Sequence, residues 1–384
     1  MALNEFSMAR NPELTVGQKF WQITWGLVVL IMLVAVVGFA MLYSAANGNF
    51  EPWASRQMMR FGAFLLLMLV IAVIDIRLWF RAAYPIYIAC LGLLLAVELM
   101  GSIGMGAQRW IDLGFIQLQP SELMKVTLIL ALARYFHGVG AEEIGRPLRL
   151  VLPLMLVALP VALVLKQPDL GTAVMLLMVG GALFFVGGVR IWKFAAVAAA
   201  GLGAIPVAWN LLHEYQRQRV LTFLDPESDP LGSGYHILQS KIALGSGGLW
   251  GKGLLGGTQS HLNFLPEKQT DFIFTMLAEE FGMAGGLLLL GLFALILVYA
   301  FAIGLRSRNQ FGRLLAVGIG SNIFLYVFIN IAMVMGIIPV VGVPLPLISY
   351  GGTAMLAVMF AFGLLISAYV HRDVRISRRG LNEE

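Results

Sequence analysis

The stretch TWGLVVLIMLVAVVGFAMLYSA, residues 24–45, decides the fold of this chain, because it carries no charged side chain along its whole length. An α-helix needs about 20 mostly apolar residues to cross the hydrocarbon core of a bilayer. Nine further apolar segments follow, at about 60–76, 82–101, 118–136, 149–165, 171–189, 191–212, 276–304, 313–337 and 350–371. The sequence therefore predicts ten transmembrane helices.

The composition agrees with this pattern. The chain has 384 residues, of which 59% are hydrophobic and 12% are charged, and its mean hydropathy of +0.84 lies outside the range of soluble domains. The apolar runs are continuous, which favours helices over barrel strands, in which apolar and polar residues alternate. We expect an all-α polytopic membrane protein, with residues 1–384 forming a single transmembrane domain and no cleaved signal peptide.

The charges indicate the orientation. With ten spans both termini share one side, and most of the 26 lysines and arginines fall on that side, which is typical of a cytoplasmic face. Because the net charge of +5 is sorted by side in this way, we expect no nucleic-acid partner. The external side carries a loop at about 213–270, far longer than the usual connection, and we expect it to carry function.

Several function classes are excluded by simple absences in the sequence. The glycine-rich stretch around Lys252 lacks the hydroxyl residue that follows the lysine of a phosphate-binding loop, and the cytoplasmic turns leave no room for a nucleotide-binding fold. Cys90 is the single cysteine, so an intramolecular disulfide is impossible. No histidine, cysteine or carboxylate group has the spacing of a metal site. We therefore expect no cofactor held by the protein.

A first external cluster contains Arg109 and Trp110, followed by Glu122 and Lys125. Pro120 suits the first turn of a helix, with the preceding residue extended. Glu122 and Lys125 are three residues apart, so they share one helix face and can form an ion pair. Such a pair either fixes helix packing or lines a polar cavity, and the spacing leaves both readings open.

A second cluster is the short polar turn that contains Lys166 and Asp169. Asp169 is placed to cap the sixth span, and capping alone would account for it. A lysine at this depth, facing an external cavity, is suited to hold an anionic headgroup such as a phosphate. We therefore treat Lys166 as a candidate binding residue.

A third cluster lies where the long loop meets the eighth span. Asp271 is flanked by aromatic residues at this boundary, where partial burial would make its carboxylate a better general base. Capping of the helix by Thr270 or Asp271 explains the same spacing equally well. We expect Glu279 and Glu280 to reach toward the membrane surface or to pair with loop arginines.

The long loop and the last connection supply further candidates. Gln216 and Arg217 belong to a group of outward-facing polar and cationic residues, which indicates either a bound anion or a solvated surface. Residues 339–353 are apolar but rich in proline and glycine, so we expect an irregular segment that forms either a turn or a re-entrant wall.

The order of these motifs resembles a known family. GAQRWIDLG at 106–114, QPSELMK at 119–125, KQPDLGTA at 166–173, FLPEKQTDFIF at 264–274 and GVPLPLISYGGT at 342–353 are similar to the motifs of the SEDS family of shape, elongation, division and sporulation proteins. The resemblance covers about residues 25–371, and it is greater to the elongation branch than to the division branch.

The resemblance implies a peptidoglycan glycosyltransferase active in cell elongation. Such an enzyme polymerises lipid II into β-1,4 glycan strands at the outer face of the bacterial cytoplasmic membrane, releases undecaprenyl pyrophosphate, and works with a class B penicillin-binding protein and the elongation machinery. The essential aspartate of the family falls on Asp271. Its other motif residues fall on Trp110, Glu122, Lys125, Asp169, Gln216 and Arg217.

This chemistry requires a base on the acceptor hydroxyl and cations on the pyrophosphate. We assign the base to Asp271, in a single inverting displacement, and pyrophosphate binding to a subset of Arg109, Lys125, Lys166, Arg217 and Lys268. A divalent cation, Mg²⁺ or Mn²⁺, shared with the substrate pyrophosphate is compatible with this assignment. The rival hypotheses are a lipid II flippase and a non-catalytic scaffold for a penicillin-binding protein.

Overall fold

The computed structural model describes residues 15–100, 102–104, 107–112, 117–140, 143–211, 214–225, 233–262, 264 and 267–377. Fourteen helices lie in these ranges: α1 Val16–Trp21, α2 Trp25–Ala45, α3 Ala54–Val73, α4 Ile76–Met100, α5 Pro120–Gly138, α6 Pro147–Lys166, α7 Leu170–Val186, α8 Ile191–Leu211, α9 Glu214–Leu224, α10 Ser233–Ser246, α11 Thr258–His261, α12 Ile273–Arg306, α13 Gln310–Val334 and α14 Gly352–Val370. The predicted all-α class is confirmed.

Ten of these helices coincide with the ten predicted spans. Seven of them, α2, α3, α4, α6, α12, α13 and α14, are long and apolar enough to cross a membrane. Two more, α7 and α8, are apolar but shorter. The tenth, α5, buries most of its side chains, including Glu122 and Lys125, so these two charges lie inside the protein. The chain is therefore a multi-pass membrane protein.

The spans form a central group and a lipid-facing group. The most apolar windows of α13 and α14 are 72% and 78% buried, whereas those of α3 and α4 are each 28% buried. The exposed residues of the outer helices are large and hydrophobic, such as Leu66, Leu99 and Val197. This is the pattern of a bundle in lipid, because only the central helices are surrounded by protein.

The connection between α4 and α5 contains a small sheet, which the sequence did not predict. It has three antiparallel strands, β1 Ser102–Gly104, β2 Ala107–Asp112 and β3 Gln117–Leu118, in the order β1-β2-β3. Ile111 pairs with Leu118. The chain then enters α5 at Pro120, and Gln119 before it is extended with φ −104° and ψ 100°, as predicted.

The described part of the long connection between α8 and α12 contains three helices, α9, α10 and α11. α10 packs against the beginning of α12: Ser240 Oγ lies 2.8 Å from Thr275 Oγ1 and donates a hydrogen bond to the carbonyl of Val334 at 2.8 Å. The loop therefore covers one end of the bundle.

Residues 335–351, between α13 and α14, form the predicted irregular segment. Gly38 on α2 faces the backbone of Leu347 and Ile348 at contact distance. Because each helical residue rises 1.5 Å, Gly38 lies about 10 Å from the end of α2. Val343, Leu345 and Ile348 are buried. The segment therefore descends into the bundle as a re-entrant wall.

Candidate active site

Asp271 lies in the turn 267–272, immediately before α12, and other parts of the chain fix the backbone of this turn. The side-chain amide of Asn330, on α13, donates a hydrogen bond to the carbonyl of Asp271 at 3.0 Å. The hydroxyl of Ser349, in the irregular segment, donates to the carbonyl of Thr270 at 2.6 Å. Asn330 is fully buried. The position of Asp271 is therefore set by α13 and the re-entrant wall.

The carboxylate of Asp271 is half-buried and faces a glycine. A Cβ added to Gly342 would lie 3.2 Å from Asp271 Oδ2, and Gly342 has a left-handed φ of +71°. Within the described ranges, the N-cap of α12 is Phe272 and no cap side chain bonds to the helix. The hydroxyl of Thr270 is directed at Glu267, to whose carboxylate it donates at 2.8 Å, so Thr270 is not the cap of α12.

Two cationic side chains lie in the same area. Lys268 is 6% exposed, and burial lowers the pKa of its ammonium group from the ordinary value. The guanidinium of Arg60, on α3, lies 5.3 Å from the ring centre of Tyr350 and close to Gly352 at the start of α14. Arg60 was not among the predicted site residues, although its outward position departs from the positive-inside trend and is a signal that could have identified it.

Glu122 and Lys125 form an ion pair inside the bundle. Their Oε1 and Nζ atoms are 2.5 Å apart, and neither side chain is more than 4% exposed. The hydroxyl of Tyr326 donates to Glu122 Oε2 at 2.5 Å, and Lys125 Nζ lies 4.2 Å from the ring centre of Tyr326. The pair is therefore fully satisfied by protein groups, which favours the packing role over a direct contact with substrate.

Asp169 caps α7, as one reading of the sequence predicted. Its Oδ1 accepts from the backbone amide of Thr172 at 3.1 Å, and its Oδ2 accepts from the hydroxyl of Thr172 at 2.9 Å. The side chain is buried. Both oxygens of this carboxylate are thus engaged within its own helix.

Arg109 and Arg217 bind the carbonyl ends of helices. Arg109 Nε donates to the carbonyl of Gln167 at 3.2 Å, and its Nη2 contacts the carbonyl of Pro168, just after α6. Arg217 donates to the carbonyls of Trp209 and Asn210 near the end of α8, each at 3.0 Å. Cationic groups satisfy such terminal carbonyls well. In this structure both guanidinium groups therefore bind carbonyls at helix ends.

The remaining predicted residues are more peripheral. Lys166 has a 68% exposed side chain, and its Nζ lies 3.9 Å from Glu98 Oε1. Trp110 lies on β2 and is half-buried. Gln216 lies on α9, and the predicted role of its side chain falls outside the described residues.

Glu279 and Glu280 do not reach toward the membrane surface. Both are fully buried, so that expectation was wrong. They do pair with the loop, but with Lys252 and His261 rather than with arginines, at 2.8 Å and 3.2 Å.

In the part of the chain that the structure describes, no group of three or more histidine, cysteine, aspartate or glutamate residues could hold a metal ion. What the described residues do bring together is one half-buried carboxylate, Asp271, a buried ammonium group, Lys268, and a glycine wall. Such an arrangement can accept a proton from a hydroxyl group and place a cation beside a developing anion.

Comparison with known proteins gives consistent results. The FtsW, RodA and SpoVE family, described as a cell cycle protein family, matches residues 18–374. The peptidoglycan glycosyltransferase MrdB of Escherichia coli K12 is 46% identical over 352 residues, which cover 90% of this chain and 93% of MrdB.

Two solved structures are similar over most of the chain. One structure is described as "Structural coordination of polymerization and crosslinking by a peptidoglycan synthase complex". It matches with a TM-score of 0.79 and 38% sequence identity, and the match covers 91% of this chain and 98% of that chain. The rod shape determining protein RodA of Thermus thermophilus has a TM-score of 0.70 and 32% identity, with 92% and 98% coverage.

Proposed function

We propose that Asp271 is the catalytic base of this chain, which belongs to the FtsW, RodA and SpoVE family, the SEDS family that its motifs resemble. The chain is a peptidoglycan glycosyltransferase of the elongation branch of that family. The observation that carries this proposal is the placement of Asp271 in a turn fixed by α13 and the re-entrant wall. Glu122 and Asp169 are occupied by groups of the protein. Asp271 is held by its backbone, while its carboxylate faces the Gly342 wall.

The proposed reaction joins two lipid-linked saccharides. The 4-hydroxyl of the acceptor attacks the anomeric carbon of the donor, whose bond to the pyrophosphate breaks, and the electron pair of that bond leaves with undecaprenyl pyrophosphate. Asp271 takes the proton of the attacking hydroxyl. The α-linked donor gives a β-1,4 product, so one inverting displacement suffices and no covalent enzyme intermediate is required.

The leaving pyrophosphate needs cationic partners. Of the side chains predicted for this role, Lys268 lies in the same turn as Asp271 and is buried, and Lys166 is exposed on the end of α6. Arg60 adds a guanidinium beside the start of α14. We assign the pyrophosphate to these three residues, while Arg109 and Arg217 support the walls by holding helix ends. A divalent cation, Mg²⁺ or Mn²⁺, would arrive with the pyrophosphate oxygens that ligate it.

The proposal extends to the substrate, the partner and the membrane. The substrate is lipid II, polymerised at the outer face of the bacterial inner membrane, with both termini of this chain in the cytoplasm. The positive-inside distribution of lysine and arginine supports this orientation. The partner is a class B penicillin-binding protein of the elongation machinery. A related structure described as a complex for polymerization and crosslinking supports this choice.

The test is glycan synthesis by the purified chain with its partner and lipid II in detergent, where movement across a membrane has no meaning. Asp271→Asn keeps the size of the side chain but removes the base, and we expect a loss of polymer formation of about 10²- to 10⁴-fold. Asp373→Asn, an exposed aspartate paired with Arg308, is the matched control and should polymerise normally. Full activity of Asp271→Asn would reject the proposed base.

A further inference from the structure

The helix that carries Asp271 at its start is not continuous. α12 is interrupted at Gly282, where φ is 66° and ψ is −163°, a combination that only glycine adopts readily. A Cβ at this position would overlap the backbone of Leu249 and Gly251. The interruption therefore depends both on a glycine at position 282 and on a segment of the long loop that lies against it.

Residues 247–253 of the long loop, which we call the inserted segment, bond to the backbone groups that the interruption leaves without partners in the helix. In a continuous helix the amides of Met283 and Ala284 would bond to the carbonyls of Glu279 and Glu280. Here the amides of Lys252 and Gly253 donate to those two carbonyls at 3.1 and 2.9 Å, and the carbonyls of Gly248 and Leu249 accept from Met283 and Ala284 at 2.9 and 3.0 Å. Two helix bonds are thus replaced by four bonds to the inserted segment.

The side chain of Glu279 holds the inserted segment and α11 against α12. One oxygen, Oε1, accepts from Lys252 Nζ at 2.8 Å, from the hydroxyl of Thr258 at 3.1 Å and from the amide of Gln259 at 3.0 Å. The side chain is fully buried. Charge-assisted bonds to a buried carboxylate are stronger than neutral ones, so Glu279 links the inserted segment to α11.

Glu280 ties the same region to the bundle. Its Oε1 accepts from the hydroxyl of Ser44, in the last turn of α2, at 2.5 Å and lies 3.2 Å from His261 Nε2. The other ring nitrogen of His261 lies 2.5 Å from Asn47 Oδ1. The loop, α2 and the first part of α12 are therefore joined through one buried carboxylate.

We propose that Glu279 and Glu280 are positioning residues for glycan polymerisation. Glu279 keeps the inserted segment in the gap of α12, Glu280 ties α2 and α11 to the same turn, and together they keep Asp271 against Asn330 and Gly342. When the inserted segment leaves, Met283 and Ala284 bond to Glu279 and Glu280, and α12 becomes continuous. This redirects the helical turns that precede Gly282 and moves Asp271 from its place. The proposal rests on the catalytic role proposed for Asp271.

The exchange of partners makes two states possible, and the bonds of Glu279 favour the one with the segment inserted. Release of the inserted segment leaves no helix amide unsatisfied, because the two helix bonds form in its place. A two-state element of this kind responds to whatever binds one state more tightly. The long loop therefore has direct control over the position of the proposed base.

The decisive variant is Gly282→Ala, compared with Gly291→Ala in the same helix. Alanine at 282 disfavours the interrupted conformation and favours the continuous helix, whereas a Cβ at Gly291 meets no atom within 4 Å. Hydrogen exchange is measured on both variants in detergent. For Gly282→Ala we expect the amides of Lys252 and Gly253 to exchange at least about tenfold faster, while those of Met283 and Ala284 stay protected. Gly291→Ala should keep all four protected.

The pattern of amide hydrogen exchange distinguishes release of the inserted segment from local unfolding. If all four amides lose protection together, the region has simply unfolded and the proposal is overturned. If none changes, the interruption does not depend on glycine and the proposal is also overturned. This readout does not involve activity, so it remains informative even if Asp271→Asn shows that Asp271 is not the base.

The second test concerns Glu279 in the complex with the penicillin-binding partner. Glu279→Gln removes the charge that holds Lys252, and we expect kcat for lipid II polymerisation to fall about tenfold while KM changes less than about twofold, because binding groups are untouched. Lys252→Met should have a similar effect, and the double variant should be no worse than either single one. A rise in KM with unchanged kcat, or additive losses, would contradict the positioning role.

Discussion

Two regions of the molecule supplied candidate site residues at the level of sequence, and the structure shows that they are built differently. At the first turns of α5 and α7, Glu122, Lys125 and Asp169 are satisfied by Tyr326, by one another or by their own helix. In the turn 267–272, the backbone carbonyls of Thr270 and Asp271 are held by Ser349 and Asn330 from other parts of the chain. Both regions place a carboxylate where a loop meets a helix.

The difference lies in what holds each carboxylate. A cap uses the side chain to hold the helix, so the group is already occupied and stabilises the fold. Asp271 is held through its backbone carbonyl by Asn330, and its carboxylate lies beside Gly342. Preorganised groups that need no rearrangement during the reaction are the ones that accelerate it. We therefore expect changes in the first region to affect stability and changes in the second to affect turnover.

The largest expected effect is on stability. Lys125→Met leaves Glu122 charged and buried without its cation, which costs about 3–5 kcal/mol when one partner of a buried pair is removed. Thermal unfolding in detergent should show a large fall in Tm, and Glu122→Gln combined with Lys125→Met should restore part of it. A normal Tm with abolished polymerisation would instead place Lys125 in contact with substrate and break the comparison.

The next effect is on turnover. Gly342→Ala adds a methyl group 3.2 Å from Asp271 Oδ2 at a position with φ +71°, and small displacements of a catalytic group cost about 10²-fold. We expect kcat to fall about 10- to 100-fold. Gly336→Ala is the matched control, since Gly336 has φ +68° and its Cβ would meet the flexible end of Lys241. Equal losses in both variants would indicate backbone strain alone.

A smaller effect is expected at the cap of α7. Asp169→Ala removes both bonds to Thr172 and should lower stability by about 1 kcal/mol, with kcat unchanged. Asp169→Asn keeps an acceptor for the backbone amide and should recover most of the lost stability. If Asp169→Asn unfolds normally but fails to polymerise lipid II, then Asp169 does more than cap the helix.

The smallest effect concerns pH. Burial lowers the pKa of Lys268, so its ammonium form is lost as pH rises through that lowered value. If this cation binds pyrophosphate, KM for lipid II should rise a few-fold at alkaline pH. Lys268→Arg stays protonated in this range and should flatten the rise, whereas Lys241→Arg, at an exposed position, should not. An unchanged profile in Lys268→Arg would remove Lys268 from the site.

Much of the fold follows from local sequence. The apolar runs located all ten spans because a membrane helix needs about 20 apolar residues wherever it lies. The start of α5 at Pro120 and the cap at Asp169 also follow from short-range chemistry. Asp271 was selected by its motif, although spacing alone could not separate a base from a cap.

The rest depends on contacts between distant residues. Arg109 and Arg217 resembled anion-binding groups, and the sequence could not show that the carbonyl ends of α6 and α8 would lie beside them. Gly282 stands inside an apolar run that reads as an ordinary helix. Its conformation is set by the inserted segment, which belongs to another part of the chain. Asn330 gave a weak signal as an amide within a span, where such groups usually bond to a neighbouring helix.

The burial of α5 has a consequence for how the chain is made. Glu122 and Lys125 each oppose entry into lipid, since a charged residue inside a membrane helix is costly, by about 2.5–3.5 kcal/mol where it lies at the centre. Glu122 and Lys125 can neutralise each other at once, because they are one turn apart. The hydroxyl that completes the pair belongs to Tyr326 on α13, which leaves the ribosome much later. The helix α5 is therefore synthesised before α13, the helix that completes its buried ion pair.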